Sequence, residues 1–166
     1  VNVEMESYRL YTVVPRLVAF IDDLTNWYVR RSRARFWKSE DDRDKANAFA
    51  TLYEVLTTFS KVLAPFMPFL TETVYQRLVR PVDAKAPESI HWTDYPRVDA
   101  TQIDAALERR MATVRALATL GRRVREDHKI KVRQPLRGIT VVHRDPAVRA
   151  DVLAAAALIA DELNVK

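Results

Sequence analysis

The 166-residue chain contains no cysteine. That excludes a disulfide framework and a cysteine-ligated zinc centre, and nothing asks for an oxidising compartment. Glycine is nearly absent too, with two residues. Two glycines build neither a P-loop nor a GxGxxG turn, so the common phosphate-cradling loops are excluded. The three histidines, His91, His128 and His143, are far apart and lack metal-ligand spacing. No nucleophile elbow occurs. The acidic stretch EDDRD at 40–44 is explained better as a helix start than as a catalytic carboxylate cluster. No apolar run reaches the length of a membrane span and no signal-like leader opens the chain, so a cytoplasmic location with no membrane partner is the expectation.

What is present points to a helical, basic protein. Hydrophobic residues make up 48% and charged residues 30% of the chain, enough for a soluble core. The net charge is +5 and the isoelectric point near 9.6. Twenty of the 27 basic residues are arginine, the better residue for bidentate phosphate contacts and for stacking on bases. A GC-rich genome would produce the same bias, and composition does not separate the two explanations.

The apolar spacing predicts long helices. Residues 4–36 carry one pattern, with Leu17, Phe20, Ile21, Leu24, Trp27 and Tyr28 at intervals of three and four. Pro15 is expected to kink or split this helix. Ser39 or Asp41 is expected to cap a second helix, whose stripe is Phe49, Leu52, Leu56, Phe59 and Leu63. Pro65 and Pro68 mark a bend before a third helix at 71–78. Residues 81–100, with Pro81, Pro87 and Pro96, read as a long ordered loop in which SIHWTDYP packs back on the helices. Thr101 and Asp104 resemble a capping box for a last long helix, in which Gly121 permits close packing. Beyond it, GITVV at 138–142 reads as a strand, and Asp145–Pro146 opens a helix to about Leu163. The chain begins without methionine inside a helical pattern, which is expected of a piece of something longer.

Two basic stretches are candidates for binding nucleic acid. In NWYVRRSRARFW, 26–37, Asn26, Arg30 and Arg33 fall within about 60° of one another on a helical wheel, roughly opposite the apolar stripe. An amide and two guanidiniums in a row form a donor-rich edge suited to phosphates or a splayed base. Arg31 and Arg35 fall nearer the core and are expected to pair with carboxylates of neighbouring helices. Phe36 and Trp37 end the helix, where a ring is open to stacking. A core seam with a solvated basic back explains the same residues. In GRRVREDHKIKVRQPLR, 121–137, Arg122, Arg123 and Arg125 leave the last helix. Lys129, Lys131 and Arg133 alternate with Ile130 and Val132, so an extended segment would line them up as a phosphate track. A charge-protected edge strand is the alternative.

The motifs DDLTNWYVRRSRARFW, DKANAFATLYEVLTTFSKVLAPFMPFLTETVYQRL, SIHWTDYP and KIKVRQPL, in this order, resemble the anticodon-binding domain of isoleucyl-tRNA synthetase. The likeness runs from about Tyr8 to Lys166. It implies an all-α helical bundle of the class Ia synthetases, joined in the same chain to a catalytic domain. It further implies docking of the anticodon stem-loop of an isoleucine-accepting tRNA by a monomer. In the related methionyl branch, a tryptophan after a comparable helix stacks on an anticodon base. Trp37 holds the corresponding place, preceded by Phe36 where that branch has proline.

The parent enzyme of such a domain uses ATP and magnesium. The HIGH and KMSKS catalytic motifs are absent here, so no cofactor and no catalytic residue are expected within these residues. The expected tRNA contacts are Asn26, Arg30, Arg33, Trp37, Arg122, Lys129, Lys131 and Arg133. Residues 1–137 are expected to form the bundle and its basic exit, and 138–166 the start of a small α/β module. A valyl or leucyl enzyme, or a helical scaffold for an acidic protein, are the other readings.

Overall fold

The computed structural model describes residues 1–37 and 42–166, so the expected caps Ser39 and Asp41 lie outside the described residues. The chain divides into two compact units, Val1–Val98 and Asp99–Lys166. Both are helical, and the described residues contain no strand or sheet, in agreement with the all-α expectation. No helix is long and apolar enough to cross a membrane, and no group of three or more potential metal ligands converges, among the described residues.

The first unit contains α1 (Asn2–Glu6), α2 (Leu10–Asp23), a π-helical turn (Leu24–Val29), α3 (Arg30–Trp37), α4 (Asp42–Leu63) and α5 (Pro68–Leu78). Pro15 neither splits nor ends α2. Its missing N–H forfeits one bond, to the Tyr11 carbonyl, and little helix precedes its ring. The interruption falls instead at Ser7–Arg9. There Tyr8 takes a left-handed φ of 56°, while the Tyr8 and Arg9 N–H groups close back on Met5 and Glu4 carbonyls at 3.0 and 2.8 Å. This is a Schellman closure, usually served by glycine, filled here by tyrosine in a chain that has little glycine to spend.

Val13 and Leu17 bury the inner face of α2, and Phe20 meets Phe59 of α4 with ring centroids 4.6 Å apart. Phe20 and Ile21 stay 40% exposed, and Phe49 is 50% exposed, so the expected stripes are only partly covered. The buried positions of α4 are the small Ala48 and Ser60, which suit close contact between helix backbones.

Pro68 takes the first position of α5, which therefore begins three residues earlier than expected. Glu72 and Tyr75 of that helix tie down the long loop. Glu72 accepts the Ser89 hydroxyl at 2.8 Å and the Ile90 N–H at 3.0 Å, and the Tyr75 hydroxyl donates to Pro87 O at 2.9 Å. Ile90 is buried against Ala64 and Tyr75, so SIHWTDYP does pack on the helices through that residue, while Trp92 remains exposed.

The second unit holds α6 (Ala105–Asp127), α7 (Pro146–Ala154) and α8 (Ala156–Leu163). Asp104, not Thr101, caps α6, its carboxylate accepting the Ala106 and Leu107 N–H groups. Thr101 serves a separate 3-10 turn capped by Asp99. The single expected helix after Asp145 is two, parted at Ala155. Asp151 of α7 is buried and accepts Arg109 of α6 at 2.9 and 3.3 Å.

GITVV forms no strand: residues 138–142 are irregular, because pairing stops at one parallel bridge, Leu136 to Val165. The expected alternation at 129–133 is absent as well. Lys129 sits in the left-handed region at φ 56° and closes α6, and Lys131–Gln134 is a turn joined by a 2.9 Å bond. A turn of this kind cannot place three charges along one side of a strand.

Gly121 behaves as expected. A Cβ there would lie 2.5 and 2.7 Å from the two methyl carbons of Leu163 and 3.2 Å from its Cγ. Leu163 is 1% exposed, and its methyl groups are the atoms that would have to shift. Gly121→Ala gains about 1 kcal/mol of helix propensity but overpacks the α6–α8 contact at a cost of about 1–3 kcal/mol. Urea unfolding followed by circular dichroism should therefore show net destabilisation of the transition that reports on α6–α8.

Candidate nucleic-acid interface

The arginine-rich stretch gets its two-sidedness from contacts on one flank. The Tyr28 hydroxyl donates to Ala48 O at 3.2 Å. Arg35 reaches Asp44 of α4 through Nε at 3.0 and 2.9 Å and through Nη2 at 2.7 Å. Phe36 meets Phe49 with centroids 4.9 Å apart and planes tilted by 54°. Arg35 thus pairs with a neighbouring helix as expected, and the Phe36 ring is taken up by the fold. With these contacts on α4, the opposite flank of α3 presents Arg30, Arg33 and Trp37, all exposed.

The π turn sets the phase of that flank. Arg30 N–H bonds to the carbonyls of Thr25 and Trp27, which leaves the Asn26 carbonyl without its usual backbone partner. Arg30 supplies one itself, donating from Nε to Asn26 O at 2.8 Å. Thr25 Oγ1 donates to the Ile21 and Asp22 carbonyls at 2.8 and 3.3 Å, steadying the entry to the turn. A π turn holds more residues than an α turn, so residues four apart lie more nearly in line. Asn26 therefore stands behind Arg30, with its amide donating to Asp22.

Arg30, Arg31, Arg33, Ala34 and Trp37 line a shallow depression of about 520 Å³. Trp37 forms one wall, at 82% exposure. Arg31, expected nearer the core, is half-buried and also reaches this depression. The Arg30 and Arg31 guanidiniums lie 5.8 and 5.6 Å from the Trp27 ring centroid, within cation–π range. Of the four expected contacts here, Arg30, Arg33 and Trp37 come together, and Asn26 joins them through its carbonyl.

The second basic stretch is organised differently. Lys129, Lys131 and Arg133 are exposed. Arg122 is half-buried and forms an ion pair with Glu162, a carboxylate almost wholly buried in the second unit. Arg125 does not leave the helix as a surface charge: it is 3% exposed. Its Nη1 donates to the Lys131 and Gln134 carbonyls at 3.2 and 3.0 Å, and its Nη2 to the Leu163 and Asn164 carbonyls at 2.6 and 3.3 Å. That guanidinium is an internal clamp holding the 131–134 turn and the end of α8. Its position was legible in principle, because Val114, Ala118 and Arg125 share the buried phase of α6.

A family model described as the anticodon-binding domain of tRNA ligase matches residues 1–141, and the chain belongs to that family. The chain is similar to the isoleucine–tRNA ligases of Chlamydia caviae and Chlamydia pneumoniae, each 50% identical over 167 aligned residues. It is 49% identical over 163 residues to that of a Chlamydia trachomatis serovar D strain. These alignments cover 100%, 100% and 98% of the chain but only 16%, 16% and 15% of the relatives. These relatives are all isoleucine–tRNA ligases, the member of the family that the sequence motifs resemble.

The Arg35 hydrogen bonds hold the Asp44 carboxyl below the usual aspartate range, against the opposing effect of burial. A carboxyl with a depressed folded pKa adds stability above its unfolded value, near 3.9, and loses it as pH falls through the lower folded value. Asp44→Asn should therefore lower the thermal midpoint at pH 6–7. The gap to the unmodified chain should close as pH is taken below about 4.

Proposed function

We propose that the chain binds the anticodon stem-loop of an isoleucine-accepting tRNA, with the flank of α3 as the surface that meets the loop. The carrying observation is the exposure of Trp37 beside Arg30 and Arg33 in one depression. Single-stranded loops offer unstacked bases, and proteins take them up by aromatic stacking and by donors to phosphates and base edges. Trp37 supplies the ring. Arg33 and Arg30 supply charged donors, with Arg30 Nε already committed to the Asn26 carbonyl. Asn26 contributes by holding Arg30 in line. Lys129, Lys131 and Arg133 would add phosphate contacts from the second unit, and Arg122 would add one only by sharing the guanidinium that Glu162 holds.

The chain spans about one-sixth of the length of the relatives it matches. In the reading proposed here it positions tRNA for a longer polypeptide that attaches isoleucine. ATP and magnesium act in the catalytic domain of that polypeptide, in the cytoplasm, with the whole enzyme working as a monomer.

The test is tRNA binding by the chain and its variants across a salt series. Trp37→Ala should weaken binding by about 1–3 kcal/mol, the worth of one stacked base. Arg33→Ala should weaken it and reduce the slope of log affinity against log salt by about 0.7–0.9, the loss of one phosphate contact. Both side chains are exposed, so helix content should not change. If both variants bind as the unmodified chain does, the assigned surface is wrong.

A further inference from the structure

Tyr53, Thr57 and Lys61 of α4 are spaced four residues apart, so they stand in a row on one face of the helix. None of them belongs to the apolar stripe of α4. Together with Thr58 they form part of the wall of a recess of about 380 Å³. Tyr75 of α5 and the loop after it, which brings Lys85 and Thr93, supply the rest. The recess shares no lining residue with the depression on α3.

The loop is held in place by its own bonds. The Asp83 N–H bonds to Val79 O at 2.9 Å, and the Ala86 N–H to Asp83 O at 3.2 Å. Arg80 Nη1 donates to the Ala84 and Ala86 carbonyls at 3.3 and 2.5 Å. Asp83 also lines the recess, and its carboxylate accepts the Lys85 N–H at 2.9 Å.

Several donors in this recess are unspent. Lys61 is half-buried and Lys85 is exposed, and neither ammonium has a hydrogen bond or an ion pair among the described residues. Asp94 lines a neighbouring recess with Lys61 but does not pair with it. The Tyr53 and Thr58 hydroxyls have no partner among the described residues either. Two of the chain's seven lysines meet here, and none of its arginines lines the recess. Arginine presents a flat fork that matches the edge of a carboxylate, whereas lysine is a compact point charge with three rotatable donors. Two such charges with hydroxyls beside them suit a tetrahedral oxyanion, whose oxygens accept from several directions.

We infer that this recess binds a phosphate group, at a site separate from the α3 flank. Lys61 and Lys85 supply the charge, and the Tyr53 and Thr58 hydroxyls donate beside them. A free phosphate compound and an RNA backbone offer the same group, and the experiment separates the two sources. The inference does not depend on the RNA surface proposed above.

The probe is sodium pyrophosphate, titrated into the isotope-labelled 166-residue chain against sodium chloride at equal ionic strength, with backbone amide shifts as the readout. The Thr58, Lys85 and Ala86 amides should move saturably, with a midpoint of about 1 mM or below. Lys61→Gln and Lys85→Gln should each raise that midpoint about tenfold, the loss of one charge-assisted hydrogen bond. Lys85 is exposed, so its replacement should leave helix content unchanged by circular dichroism. Shifts no larger than those in sodium chloride would overturn the inference. So would shifts confined to Arg30–Trp37, or shifts that survive both lysine variants, which would mean an adventitious ion only. The anticodon stem-loop should leave the pyrophosphate shifts in place, and displacement by it would merge the two sites and overturn the inference. Displacement by whole isoleucine tRNA alone would identify the RNA backbone as the source, and persistence in its presence a free phosphate compound. A chain that takes pyrophosphate but no RNA would fail the proposed function and keep this site.

Discussion

The pairing of Arg35 with Asp44 is the contact on which the candidate surface depends. A helix reading RRSRARFW has four guanidiniums in eight residues and little apolar material to choose its inner face. Three hydrogen bonds from Arg35 to the Asp44 carboxylate, reinforced by Phe36 on Phe49 and Tyr28 on the Ala48 carbonyl, fix which flank meets α4. Charge-assisted, forked geometry of this kind gives direction as well as attraction. Once that flank is set, Arg30, Arg33 and Trp37 are left on the outside. The π turn before them then brings Asn26 and Arg30 into line.

The second unit depends on a different use of arginine. Arg125 is buried with its donors turned to backbone carbonyls, so its charge is solvated by the chain itself. Satisfied in this way, a buried polar group rigidifies; left unsatisfied, it would cost stability. It fastens the 131–134 turn to the end of α8, near the point where Gly121 admits Leu163. The same economy with glycine shows at the helix ends. Tyr8, Lys129 and Asn164 all adopt left-handed conformations, positions where glycine would carry no Cβ penalty. Lys129 thereby has two roles open to it, as the residue that closes α6 and as a projecting charge.

Much of this was legible before the structure. Helix periodicity located α2, α4, α5 and α6, and the wheel separated Arg35 from Arg33 correctly, because phase on a helix is a local property. The failures came where phase gives way to tertiary context. Pro15 looked like a break because its local penalty is large, yet near a helix start it forfeits a single bond. The charged alternation at 129–133 looked extended, but the Arg125 clamp bends that stretch into a turn. GITVV has the composition of a strand, and composition alone cannot supply the neighbour a strand requires. The basic segment after α6 misleads for a further reason: a charged residue within an apolar phase reads as surface, when Arg125 is buried and Arg122 is shared with the Glu162 carboxylate.

What links sequence to function is therefore the division of arginines into those used internally and those left outward, with Trp37 marking the outward side. The indole N–H signals of the three tryptophans, Trp27, Trp37 and Trp92, test that division most directly, in a nuclear magnetic resonance titration with an isoleucine tRNA anticodon stem-loop. Trp37 should shift or broaden at the lowest RNA ratios, while Trp92, exposed in the first unit's long loop, should not move. A titration in which Trp92 responds and Trp37 stays fixed would contradict the account.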